Sequence, residues 1–200
     1  GAPSGARSMT TPELWAALDP VLRVLRDLEV RHYVGGSIAS SAHGVARASI
    51  DADVAAELAE PHERGFVAAL RDAYYVPEAR VRDAILRRAS FNVIHLETML
   101  KVDVFVSRGR PFDRRAMERA SEALGAAGGR PLPLASAEDT VLAKLEWYRR
   151  GGETSERQWT DVLGVIRVGG SALDRPYLVA GAKELGVGDL LERALQEALA

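Results

Sequence analysis

The 200-residue chain has no cysteine. That excludes a disulfide framework and any thiolate nucleophile or metal ligand, and it fits a reducing, cytoplasmic setting. Lysine is scarce, standing only at positions 101, 144 and 183. Arginine supplies the remaining positive charge, and its abundance, like that of alanine, reads as compositional bias. With 26 basic and 28 acidic residues the formal net charge is -2. That balance argues against a surface generally coated for nucleic acid, while leaving room for a local basic patch. No apolar run approaches the roughly 18 residues of a membrane span, and neither an internal repeat nor a low-complexity linker is present.

What remains is 47% hydrophobic and 27% charged, the composition of a soluble globular chain with one core or two small subdomains. Residues 1–8, GAPSGARS, precede Met9 and read as an expression remnant. Thr11-Pro12-Glu13 begins a helix carrying Leu14, Leu18, Val21, Leu22, Leu25 and Leu28 on one stripe, with Pro20 restarting or kinking it. A short strand is expected over Val30–Val34 and helices from Glu60 and from Pro77. Phe91–Glu97 and Lys101–Val106 alternate as the two arms of a hairpin. Pro111 to Leu124 reads as a helix with a glycine-rich exit at 125–129, and Pro131–Leu134 as an extended segment. Ser136 then caps a helix, Gly151-Gly152 ends it, and the remaining quarter is helical. Arg80, Arg82, Arg87 and Arg88 read as a solvated face, with nucleic-acid contact the alternative.

The chemistry concentrates between Tyr33 and Val54. Gly35-Gly36-Ser37 lies between an apolar run and a short helix, where glycines permit a tight turn and the helix start offers unpaired N–H groups to a phosphate. The same triplet also makes an ordinary serine-capped strand-to-helix turn. Asp51 and Asp53 are two apart on a strand and so share a face, with Cα atoms roughly 6.5–7 Å apart. Carboxylates so placed can hold Mg²⁺, and two such ions clamp the oxygens of a phosphoryl transfer. A solvated strand face is the plainer reading, and Asp27-Leu28-Glu29 repeats the spacing within a helical pattern. Asp103 lies mid-strand, beside Lys101 and Phe105 on one face. If its strand adjoins that of Asp51, three carboxylates converge.

The ordered set Gly35-Gly36-Ser37, His43-Gly44, Arg47, Asp51-x-Asp53, Lys101-Val102-Asp103, Glu138-Asp139 and Lys144-Leu145 resembles the minimal nucleotidyltransferases of the DNA polymerase beta superfamily, nearest their small AbiEii-toxin-like bacterial branch. The likeness spans about Val30 to Val168. It implies an α+β fold, a small mixed sheet with flanking helices over residues 9–135, followed by a helical subdomain over residues 136–200. It further implies that Gly35, Gly36 and Ser37 hold the triphosphate of an NTP, that Asp51, Asp53 and Asp103 bind two Mg²⁺ ions and are catalytic, and that Lys144 reaches the phosphates. Arg47 either assists the phosphates or orients the Asp51 turn. His32 reads as a structural or surface residue, His43 as structural, and Trp147 and Trp159 as core or interface residues, with base-stacking platforms the alternative. Ala52 stands where the family has a larger apolar residue.

The implied activity is Mg²⁺-dependent transfer of a nucleoside monophosphate to a hydroxyl of an RNA end, a protein or a small molecule. A toxin with an antitoxin partner is one biological setting for it. The alternative is a nucleotide-binding or antitoxin-like regulator that keeps the fold without catalysis.

Overall fold

In the computed structural model, residues 11–124 and 131–199 are described. Residues 1–8 and the glycine-rich exit at 125–129 fall outside them. The first helix, α1 (Pro12–Asp27), starts as its sequence dictates: Thr11 Oγ1 accepts the Leu14 N–H at 3.2 Å, and Pro12 occupies the first turn. Leu14, Leu18, Val21, Leu22 and Leu25 are fully buried. The helix runs on through Pro20, which lacks an N–H to bond the preceding turn. On that turn, the Tyr74 hydroxyl donates to the Ala17 carbonyl.

The strands are β1 (His32–Val34), β2 (Asp51–Ala56), β3 (Tyr74–Tyr75), β4 (Ser90–His95), β5 (Lys101–Val106), β6 (Ser121–Leu124) and β7 (Pro131–Leu134). They form one mixed sheet in the order β3-β4-β5-β2-β1-β7-β6. The β4–β5 hairpin expected from alternation is present and antiparallel, and β2 and β5 are parallel neighbours. Between β1 and β2 lies α2 (Gly36–His43), and between β2 and β4 lie α3 (Glu63–Leu70) and α4 (Glu78–Arg87). Alternation fixes the faces: Ala52, Val54, Ala56, Val102, Val104 and Val106 are buried and join α1, α3 and α4 in one hydrophobic cluster.

The expected helix over Pro111–Leu124 is half right. α5 (Pro111–Arg119) stops where Ala120 turns to φ -59°, ψ 134°, and Ser121–Leu124 instead pairs antiparallel with β7. Ser-Glu-Ala-Leu tolerates either state, so partnering with β7 decides. The two-residue strand Tyr74–Tyr75 gave no sequence signal.

The helices α6 (Ala137–Arg150), α7 (Glu156–Gly169), α8 (Arg175–Leu185) and α9 (Gly188–Leu199) complete the chain. Ser136 and Ser155 cap α6 and α7 through their side-chain oxygens. Val141, Leu142, Leu145, Trp159, Val162, Ile166, Leu178 and Leu190 build a second buried cluster with Phe112 and Ala116 of α5. The short α2 packs against both α6 and α7 as well as β2, and so sits between the two clusters. No helix among the described residues is long and apolar enough to cross a membrane.

Candidate active site

With one face of β2 and β5 committed to the core, the other carries the charges. In the parallel register Asp51 lies beside Lys101 and Asp53 beside Asp103, and across the hairpin Asn92 pairs with Asp103. The expected neighbour relation therefore holds, and the three acids share one face. Lys101 Nζ lies 2.7 Å from Asp103 Oδ2. The Asp53 carboxylate, by contrast, has no hydrogen bond or ion pair among the described residues. Burial, with the neighbouring charges of Asp51 and Asp103, pushes its pKa up to about 6, against the weaker pull of Lys144 and Lys101. Among the described residues no three acid or histidine side chains close on one point as a ready-made cation site.

The glycine turn lies directly against this acid. Gly36 has φ +54°, and a Cβ there would fall 1.7 Å from Asp53 Oδ2, so both conformation and space demand glycine. The Gly35 N–H donates to the Asp53 carbonyl at 2.9 Å, and the first intrahelical bond of α2 runs from the Ala39 N–H to the Gly35 carbonyl. Of the three residues read as phosphate-holding, Gly35 thus spends its amide on the sheet, which leaves the amides of Gly36 and Ser37 at the helix start. Ser37 is 6% exposed, and its Oγ is buried with no partner. An unsatisfied hydroxyl in such a place carries a cost unless something binds it.

The cations come from farther along the chain. Arg47, on the loop before β2, grips Asp161 of α7 with two bonds, Nε to Oδ1 at 3.0 Å and Nη2 to Oδ2 at 2.7 Å. Lys144 of α6 donates to the same Asp161 Oδ2 at 2.9 Å and to Gln158 Oε1 at 3.1 Å. One carboxylate therefore holds both residues singled out for phosphate. Burial lowers the Lys144 pKa, and Asp161 opposes the shift. Arg47 and Lys144 both sense the charge of Asp53. The loop reaches α7 because Gly44 allows it: a Cβ there would lie 2.8 Å from the Val165 nitrogen and 2.9 Å from the Gly164 carbonyl carbon.

Asp161 and Gln158 were missed as functional candidates. Their sequence signal is faint, a polar stretch around buried Trp159 and Val162, because their partners lie up to 114 residues away. His43 bonds the Ala135 carbonyl at 2.7 Å, and His32 Nδ1 lies 2.7 Å from the Val30 carbonyl, so both fit the structural reading. Trp159 is core, whereas Trp147 is 45% exposed and so is not a core residue. A groove of about 600 Å³ bounded by Glu60, Pro61, Glu63, Arg64, Arg82 and Leu86 shares no residue with the acid face; within it Glu63 is paired with Arg82. Among the described residues, neither the Asp53 carboxylate on the open sheet face nor Ser37 Oγ at the start of α2 has a hydrogen-bond partner.

No protein-family model matches the chain, and no curated protein sequence matches it. Solved structures do. The antibiotic-resistance factor ANT(2'')-Ia superposes with a TM-score of 0.51 at 14% identity, over 92% of this chain and 93% of the other. An antigenic nucleotidyltransferase-like protein from Paracoccidioides brasiliensis gives 0.52 at 15% identity over 94% of each chain. With a seven-stranded mixed sheet, flanking helices and a helical C-terminal region, the chain has the α+β fold of these nucleotidyltransferases.

Proposed function

We propose that this protein is a Mg²⁺-dependent nucleotidyltransferase that moves a nucleoside monophosphate from an NTP to a hydroxyl acceptor, with release of pyrophosphate. The observation that carries the reading is the unpaired, half-buried Asp53 in register with Asp103 and pressed against the Gly36 turn. Three carboxylates on one face form an all-oxygen, hard donor set, which suits Mg²⁺. Asp51, Asp53 and Asp103 would hold the ions, which neutralise phosphoryl charge and activate the acceptor hydroxyl when bound.

The chain's own part is positional. Ser37 Oγ and the amides of Gly36 and Ser37 donate to the triphosphate at the positive end of α2. Lys144 and Arg47, aimed by Asp161, add positive charge beside it. Asp103 is placed to receive the acceptor's proton, and for that Lys101 must release it.

A small-molecule acceptor is favoured over an RNA end. The site-facing rows of β2, β4 and β5 hold one cation, Lys101, already paired with Asp103, whereas a polynucleotide backbone needs several. One structural neighbour is an antibiotic-resistance factor, which agrees with that choice. Membership of the AbiEii-toxin-like branch, and with it an antitoxin partner, rests on the ordered motifs alone. A non-catalytic nucleotide-binding role is the second reading, supported by the Lys101–Asp103 ion pair and the lack of a ready-made cation site among the described residues.

Calorimetric titration of the four NTPs with Mg²⁺, on the wild type and on Asp51→Asn/Asp53→Asn, tests the proposal. Metal-dependent binding lost in the variant is the expected result, together with pyrophosphate release when an acceptor alcohol is added. Binding and turnover undiminished in the variant would remove the carboxylates from the mechanism. Binding without any turnover would favour the second reading.

A further inference from the structure

Trp147 is partly open to solvent, yet its ring is held. One edge meets Phe105, with centroids 5.6 Å apart and planes at 63°. The Arg150 guanidinium, bonded to Glu146, lies 5.5 Å from the indole centroid. No hydrogen bond engages the indole N–H among the described residues.

Two spacings bring this aromatic wall beside the carboxylates. Phe105 follows Asp103 by two residues on β5, so the two share a face with Cα atoms roughly 6.5–7 Å apart. Trp147 follows Lys144 by three on α6, a spacing that puts side chains on the same side of a helix. Sheet and helix thus converge from opposite directions: each offers an aromatic one step beyond a residue of the candidate active site.

We propose that the exposed face of Trp147, backed by Phe105, is the stacking site for the nucleobase of the NTP. The proposal rests on the nucleotidyltransferase reading and adds the place of the base to it. Phosphates and base are opposite ends of one molecule, so a triphosphate drawn to Lys144 and Ser37 brings its base to the adjoining turn of α6. An indole face reads no base edges. The site therefore accepts all four bases and prefers purines, whose larger rings stack more strongly.

The test compares MgATP with magnesium tripolyphosphate, which has phosphates and no base, by calorimetry on the wild type, Trp147→Ala and Trp147→Phe. Trp147→Ala is expected to weaken ATP about 5- to 100-fold and to leave tripolyphosphate within about twofold, while Trp147→Phe keeps most of the ATP affinity. The chain has three tryptophans, and ATP should quench the emission of the wild type but not of Trp147→Phe. Unchanged ATP affinity in Trp147→Ala overturns the assignment alone, and so does equal weakening of both ligands. A wild type that binds neither ligand overturns the nucleotidyltransferase reading and this assignment together.

Discussion

Asp53 is a carboxylate whose charge is opposed first by burial and then by the neighbouring Asp51 and Asp103. Its folded pKa of about 6 lies above the ordinary 3.8, so the folded chain holds this proton more tightly than the unfolded one. The associated stability is fully present below pH 3.8 and is lost as pH rises through 6. Asp53→Asn should therefore stabilise the metal-free protein by about 1–2 kcal/mol at pH 7.5, allowing for solvent screening, and by almost nothing at pH 4. Thermal melts at the two pH values check this. In the same melts Mg²⁺ should raise the wild-type midpoint, less so below pH 6 where protons compete, and leave the variant unmoved. Gly36→Ala makes the complementary case, since a methyl group would strike Asp53 in a left-handed backbone conformation. A loss of at least about 2 kcal/mol is expected in urea unfolding; a loss below 0.5 kcal/mol would contradict the close approach. Both residues were legible, because glycine and paired acids declare their chemistry within a few positions. That the Gly35 amide belongs to the ladder was not legible, since it depends on how β1 meets β2.

At the scale of elements, α7 ties the candidate site together without touching the sheet's acids. Asp161 answers two cations at once, and its side chain and that of Lys144 are nearly closed to solvent. Asp161→Asn strands both cations and should cost about 2–4 kcal/mol in chemical denaturation. Adding Lys144→Met should recover at least half of that loss, because the buried unpaired ammonium is then gone; independent, additive losses would show that no shared ion cluster exists. The caps that start these helices were readable from serine followed by acidic residues. The end of α5 was not readable. Ser121–Leu124 has no distinctive period, and its strand state comes from β7, which the sequence places beyond a glycine-rich segment. The exposure of Trp147 was not readable for a related reason. Helical spacing identifies a face but not whether another element covers it.

Across the whole molecule, hydrophobic alternation in β2, β4 and β5 predicted one sheet face for the core and one for the acids, and the registers agree. The path between strands was less open to inference: β1 pairs with β2 on one side and with β7, about a hundred residues later, on the other. Such long-range closure belongs to chains that fold slowly for their size. During synthesis the acid face, the glycine turn and Arg47 all emerge before α6 and α7. A nascent chain that has reached the end of β7 carries mutually repelling carboxylates and a short α2 with two of its three packing partners missing. The cluster around Asp161 is thus a late event in the life of each molecule, and Arg47 and Lys144 reach their final positions only at the close of folding.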